Sequence, residues 1–307
     1  MAAATSRRQL LGGAAAGAAA LAWPFRSRAA GNVTVTPVVG ELSVLTGAGG
    51  NIVVLATDQG HVVVDSGAAA SSGDVVATLG ELGGNGTAAL FNTHWHLDQV
   101  GGNDALGRAG ATIFAHEKTR LRLKTGYYVQ DEDRYEAALP APALPTETIY
   151  EEGSAEFGGR QVDYAYLIEA HTDGDIYVAF PDLNVIAVGD VVSQVRDPVF
   201  DWFGGGWLGG RVDALAHLLE ISDDETRFVP SYGPVVARAD VMREHEMMLT
   251  LFDRFVERIR LGETAADMHR AGAHEGLGRD FDDPMKLLYD IHTGFWAHHN
   301  KLMHDIV

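Results

Sequence analysis

The chain has 307 residues, 46% of them hydrophobic, enough to build one large core or two small ones, and a formal charge of −19. Four arginines and no acids lie in residues 1–30, so the remaining body carries −23 and should repel nucleic acid and anionic lipid. The absence of cysteine excludes disulfides, thiolate metal sites and a cysteine nucleophile, which leaves His, Asp and Glu for any metal chemistry.

Residues 1–30 read as a leader that is removed, outside the fold. Ser6-Arg7-Arg8-Gln9-Leu10-Leu11 precedes a Gly/Ala-rich apolar stretch over 11–23, and Ser27-Arg28-Ala29 offers the small residues of a cleavage site. The paired arginines before a mild apolar region resemble a twin-arginine export signal, which implies a periplasmic destination. The stretch is short and poor in Leu, Ile and Val, so no stable membrane span is expected after its removal.

From Gly31 onward, short β-rich runs alternate with helical patterns. Residues 33–38, 42–45, 52–56 and 62–65 read as successive strands separated by glycine-containing turns, and 74–82 have a helical period. A strand at 88–92, a turn, a helix from Asn103, a strand at 111–115 and a helix from about Glu117 follow. Residues 125–145 are irregular, rich in Tyr and acids and then Pro, as expected of a flap over a cleft. A second strand-rich half, with runs at 162–168, 176–180 and 185–188, leads into a Gly-rich aromatic loop at 200–210. That loop, with Phe200, Trp202, Phe203 and Trp207, suits either a substrate wall or a core plug. A helix at 211–221, a strand at 227–229 and a long helix over about 238–261 come next, the last with Met248, Phe252, Phe255 and Ile259 at helical spacing. The tail, 264–304, is expected to be helical, and its six histidines read as surface or packing residues.

The chemistry concentrates in His94-Trp95-His96-Leu97-Asp98-Gln99, just after the apolar strand ending near Phe91. A turn that follows a strand can aim several side chains at one point, and two imidazoles with a carboxylate are what a Zn²⁺-type ion needs. Elsewhere, His116 is expected to face solvent or cap the next helix. Asp173 and Asp175 flank His171 and could orient it from behind, although a solvated turn is the favoured reading.

Four further segments give this motif a family context. They are Val62-Val63-Val64-Asp65, Glu169-Ala170-His171-Thr172, Val188-Gly189-Asp190, and Val229-Pro230-Ser231-Tyr232-Gly233. In order and spacing over residues 33–240, the chain resembles the metallo-β-lactamase-fold hydrolases. The resemblance implies a four-layer αββα fold, an α/β architecture of two stacked mixed sheets with helices outside. It implies a division into a leader (1–30), the fold itself (31–240) and a helical C-terminal extension packed on it (241–307). By the same resemblance, His171 is the third histidine ligand, Asp190 bridges or completes the metal site, and Asp65 buttresses the metal turn. His94, His96 and His171 would leave a fourth tetrahedral position for water, whose pKa zinc lowers toward ~7. Asp98 is placed to orient that water and deliver a proton.

Two positions depart from the pattern. Family members with two metals usually carry histidine where this chain has Gln99 and Tyr232. That leaves Asp98, Asp190, the Gln99 amide and the Tyr232 phenol as metal ligands at the second position. Amide and phenol oxygens are poor zinc ligands, so one firm zinc is expected beside a second site that is absent, weak or of an oxygen-preferring kind. Tyr232 could instead donate to an oxyanion or simply pack. The resulting expectation is a zinc-dependent hydrolase, with Asp98 and Tyr232 as its catalytic side chains. Its substrate would be a small molecule with an ester, lactone, amide or thioester carbonyl. A β-lactam is possible, whereas an anionic glutathione thioester is disfavoured. Two alternatives stay open: a mononuclear iron dioxygenase of the same fold using His94, His171 and Asp190, and a non-catalytic metal-binding accessory protein.

Overall fold

A computed structural model describes residues 28–30, 32–129 and 133–304, so the export pattern at 6–23 lies outside the described residues. Seven strands open the fold: Arg28–Ala30 (β1), Val33–Val39 (β2), Leu42–Ala48 (β3), Gly50–Thr57 (β4), Gly60–Val64 (β5), Thr87–Phe91 (β6) and Thr112–His116 (β7). Helices Ser72–Glu81 (α1), Leu97–Val100 (α2), Asn103–Arg108 (α3) and Glu117–Thr125 (α4) lie among and after them. The segment read as a flap contains a small hairpin, Tyr127–Val129 (β8) with Arg134–Glu136 (β9). Then come Glu147–Ile149 (β10), Glu152–Phe157 (β11), Arg160–Tyr166 (β12), Ile176–Phe180 (β13), Val185–Gly189 (β14), Arg227–Pro230 (β15) and Val236–Ala237 (β16). Helix Leu208–Glu220 (α5) precedes β15, and Arg238–Arg260 (α6), Ala265–Arg270 (α7) and Pro284–His304 (α8) close the chain.

One sheet runs β1-β2-β3-β4-β5-β6-β7-β10 and the other β11-β12-β13-β14-β15-β16. Their packing follows from two-residue alternation on strands buried on both faces. In β5, Val62 and Val64 point into an inter-sheet core with Val178 and Ala187, while Val63 joins Val75 and Leu79 of α1 on the outside. In β14, Val185 and Ala187 face that same inter-sheet core, and Ile186 and Val188 meet α5 and α6 through Leu215 and Met248. Two sheets back to back with helices on both outer faces make four layers, the αββα arrangement expected. Burying side chains of this size contributes about 1.5–3 kcal/mol each, so these three clusters hold the layers together.

β11 was not marked by sequence because Glu152–Phe157 has no apolar alternation; its register comes from pairing with β12. The tail is helical in two pieces, with turns over 271–283 between α7 and α8. Its Met268, Leu287, Leu288 and Ile291 share the apolar cluster that covers the outer face of the second sheet. No helix among the described residues is long and apolar enough to cross a membrane.

The fold brings the C-terminal ends of interior strands of both sheets together. β5 and β6 are parallel, as are β14 and β15, so the residues leaving their C-terminal ends emerge side by side. Those residues are Asp65, the 92–98 turn, Asp190 and the 231–233 turn. Asn51 at the start of β4 ties the sheets together: its N–H donates to Ser231 O at 2.7 Å, and its amide donates to Pro230 O and Gly233 O at 2.8 and 2.9 Å.

Candidate metal centre

His94, His96, His171 and Asp190 each present one ligand atom, and these atoms all lie within 4.8 Å of one another. The turn carrying the first two is built by buried polar residues. Asn103 and Asn92 exchange hydrogen bonds at 2.8 and 3.1 Å, and Ser66 Oγ donates to Asn103 Oδ1 at 2.8 Å. Asp65 sits at φ 62° in the left-handed region, a strained setting for a non-glycine residue. There its carboxylate accepts from Thr93 N at 2.8 Å and Thr93 Oγ1 at 2.7 Å. Asp65 therefore buttresses the turn through Thr93 and touches no histidine directly. Burial pushes its carboxyl up to about 8, against the two Thr93 donors.

Each imidazole has an acceptor behind it that decides which nitrogen is bare. Thr93 Oγ1 spends its proton on Asp65, so it accepts from His94 Nδ1 at 3.0 Å. His171 Nδ1 donates to Val199 O at 2.8 Å, and His96 Nε2 donates to Asp201 Oδ2 at 2.9 Å. The bare atoms are then His94 Nε2, His171 Nε2 and His96 Nδ1. The last two lie 3.1 Å apart, and His94 Nε2 is buried with no hydrogen-bond partner among the described residues. Asp190 Oδ2 stands 3.6 Å from His94 Nε2 and 3.7 Å from His171 Nε2. Three lone pairs facing one point, one of them orphaned, with a carboxylate oxygen beside them, suit a divalent cation that imidazole can hold.

Electrostatics favour the ligand form at two of the three histidines. Burial, reinforced by the neighbouring His96 charge, holds His94 well below the ordinary imidazole value. Burial, with His94 and His96 alongside, does the same to His171. Neutral imidazole is the ligand form. Burial also opposes charge on His96, but the hydrogen bond and charge of Asp201 outweigh it and raise His96 above its ordinary value. Burial raises Asp190, although the Arg196 guanidinium pulls the other way.

Asp98 stands beside this cluster rather than in it. Its Oδ2 accepts from the Tyr232 hydroxyl and from Gln99 Nε2, the latter at 3.1 Å. Burial opposes its charge, yet the Tyr232 hydrogen bond and the histidine charges hold it below the usual carboxylate range. The Tyr232 proton is thus engaged by Asp98. Gln99 is wholly buried, its amide so close to the backbone of Gly50 that a Cβ there would lie 2.3 Å from both terminal atoms.

Several neighbours differ from the sequence expectation. Asp175 does not lie in a solvated turn. It is buried and accepts from His171 N, Thr172 N and Thr172 Oγ1 at 2.6, 2.7 and 2.7 Å, shaping the loop that carries His171. Asp173 pairs with Arg122 at 2.7 Å. His116 caps α4 by accepting from Lys118 N at 3.3 Å, but it is buried and stacked on Tyr166 rather than open to solvent. The aromatic loop does both jobs weighed for it. Phe200 is buried and Trp207 packs on His298 of α8, while Trp202 and Phe203 line a cavity of about 410 Å³ that reaches His96 and Asp98. Tyr127, Tyr128 and, from α8, Lys286 and Asp290 form other walls. Asp201, Arg196 and Arg211 carried no sequence signal. Arg211, fully buried in α5, donates to Val199 O, Asp190 O and Ser193 Oγ at 3.1, 2.8 and 2.9 Å and so fixes the loop behind His171.

The model of the metallo-beta-lactamase superfamily matches residues 45–242, a segment that includes His94, His96, Asp98, His171 and Asp190. The chain belongs to the metallo-beta-lactamase superfamily. Solved members share its fold at low identity. A metallo-beta-lactamase from Pontibacter korlensis is 18% identical, with TM-score 0.57 over 71% of this chain and 99% of that one. The DIM-1 metallo-beta-lactamase is 15% identical, with TM-score 0.58 over 71% and 98%. The stereoselective inverting sec-alkylsulfatase Pisa1 from Pseudomonas sp. is 13% identical, with TM-score 0.60 over 87% of this chain and 50% of that one. No curated protein matches the sequence.

Proposed function

We propose that this superfamily member is a zinc-dependent hydrolase, exported to the periplasm by the twin-arginine pattern at Ser6–Leu11, that cleaves a carbonyl ester, lactone, amide or thioester. The observation that carries the reading is the set of three bare imidazole nitrogens, each aimed by an acceptor behind it, converging with Asp190 beside an aromatic cavity. His94 Nε2, His96 Nδ1 and His171 Nε2 would hold the ion and leave a position for water, with Asp190 Oδ2 beside them. Zinc bound there supplies Lewis acidity toward the scissile group and acidifies water. The convergence of His96 with the other two favours a three-histidine zinc set over the two-histidine, one-carboxylate set that iron oxygenases use.

The chain's own residues handle the rest. Asp98, kept ionised by Tyr232, is placed to orient water and to take and return a proton at Oδ1, the oxygen that Tyr232 and Gln99 leave open. Tyr232 acts through Asp98. Trp202, Phe203 and Tyr128 offer apolar surface, and the cations on the cavity wall have acidic partners, Lys286 with Asp290 at 2.6 Å and Arg134 with Glu136. These features favour an apolar acyl or aryl group over an anionic one.

The test is turnover by the zinc-loaded protein against aryl esters, lactones, β-lactams, thioesters and sulfate esters. The expected result is hydrolysis of an apolar ester-type substrate that chelation removes, zinc restores, and His171→Ala lowers by at least about 100-fold. Turnover indifferent to chelation and to that substitution would overturn the reading. So would bound iron with substrate-linked oxygen uptake.

A further inference from the structure

Asp190 has two carboxylate oxygens, and they serve different partners. Oδ2 faces the imidazole cluster, while Oδ1 accepts from Arg196 Nη2 at 2.6 Å. The Arg196 guanidinium lies over the Tyr232 ring, its Cζ 3.7 Å from the ring centre. The Tyr232 hydroxyl in turn donates to Asp98 Oδ2, which also accepts from Gln99 Nε2. Asp98 and Asp190 are the two carboxylates left for a second cation once Gln99 and Tyr232 stand in place of imidazoles. Both are already served, one by a fixed positive charge and the other by two neutral donors.

We propose that the Arg196 guanidinium, stacked on Tyr232, occupies the place of a second cation and makes this a single-metal centre. The inference rests on the metal-centre reading above. Guanidinium suits the part because it is permanently charged, planar and able to stack on an aromatic face. A divalent ion brought to Asp190 Oδ1 would meet a cation already in contact with that oxygen. Arg196 is also held in position. Its carbonyl accepts from Arg279 Nη2 at 2.8 Å, and the other arm of Arg279 donates to Ser193 O at 2.7 Å. Arg196 Nε is buried with no hydrogen-bond partner among the described residues. A merely solvated arginine would avoid that cost by turning outward.

Bound zinc per chain, counted by elemental analysis and native mass spectrometry after dialysis against excess zinc, tests the inference. The natural chain should hold one zinc. Gln99→His with Tyr232→His should still hold one while Arg196 remains, and adding Arg196→Ala should raise the count to two. Two zinc ions on the natural chain, or on the double variant with Arg196 intact, would overturn the inference and leave the metal-centre reading standing. A triple variant that remains at one zinc would also overturn it. Zero zinc on the natural chain would remove the metal-centre reading itself. If a variant fails to fold, two zinc ions on the natural chain, or no gain over the natural count on its single Arg196→Ala variant, would still overturn the inference.

Discussion

Replacing Asp201 by asparagine should weaken zinc binding by close to 100-fold. The carboxylate makes two contacts: Oδ2 accepts from His96 Nε2 at 2.9 Å and Oδ1 accepts from Gly204 N at 2.7 Å. An asparagine has only one oxygen for those two donors. If the oxygen stays with Gly204, the amide N–H₂ faces His96 Nε2 and the imidazole must carry its proton on Nδ1, the atom meant for the metal. If the oxygen turns to His96, two donors confront each other at Gly204. Loss of a partner behind a ligating histidine typically costs 10–100-fold in metal affinity, and the tautomer conflict places this variant near the upper end, about 2.7 kcal/mol. Competition with a chromogenic chelator measures it.

The pH dependence gives a second reading of the same pair. His96 is held above its ordinary 6.5, so its contribution to the metal-free fold is complete below 6.5 and fades as pH rises through its folded value. Burial opposes charge on Asp201, but His96 outweighs it and holds Asp201 below 3.8, so that contribution is present above 3.8 and fades as pH falls through the folded value. Metal-free protein should therefore lose stability as pH climbs past 6.5, and Asp201→Asn should flatten that limb. Zinc affinity within threefold of the natural chain, or an unchanged stability profile, would refute the reasoning.

Arg211→Met should destabilise the fold by about 3–5 kcal/mol, because it leaves Glu244 buried beside an unmatched site; a denaturant midpoint measures this, and Glu244→Gln in the same chain should recover part of the loss. Gly50→Ala should cost about 1–3 kcal/mol through overpacking, since its Cβ would strike the Gln99 amide; thermal unfolding checks it. Trp202→Ala should lower kcat/KM for bulky aryl esters by roughly tenfold while sparing acetyl esters, as expected for removing one apolar wall; paired kinetics with the two substrate sizes would show it.

The layers were readable from sequence because strands such as β5 and β14 are buried on both faces and announce themselves as unbroken Val/Ile/Ala runs. β11 was hidden for the opposite reason: its side chains alternate between exposed and half-buried, leaving pairing with β12 to define it. At the site, His94, His96 and Asp98 were readable because one turn carries all three. His171 and Asp190 became readable through the family's ordering of loops. The groups that aim these side chains had no comparable mark. Val199 acts through its carbonyl, which any residue would supply. Asp201 is one acid among 42 Asp and Glu in the chain. Arg196 is an ordinary loop cation until the fold lays it over Tyr232. The acceptor behind a ligand is a property of tertiary geometry, so its absence from the sequence reading is physical rather than accidental.

The chain after residue 242 extends beyond the family match, yet its turns over 271–283 hold a loop beside the centre. Arg279, between α7 and α8, grips the carbonyls of Ser193 and Arg196, and Asp197 on the same loop accepts from Asp282 N and Asp283 N at 3.0 and 2.8 Å. This loop connects Asp190 to Val199, and so to the aim of His171. If the extension were packing alone, Arg279→Met would cost stability and nothing else. Because the loop positions Asp190 and Val199, the same substitution should cost about 1–3 kcal/mol for the freed carbonyls and also weaken zinc binding by roughly 10-fold. Thermal unfolding of the metal-free protein and a zinc titration on one preparation separate the two effects. A loss of stability with zinc affinity unchanged would confine the extension to packing.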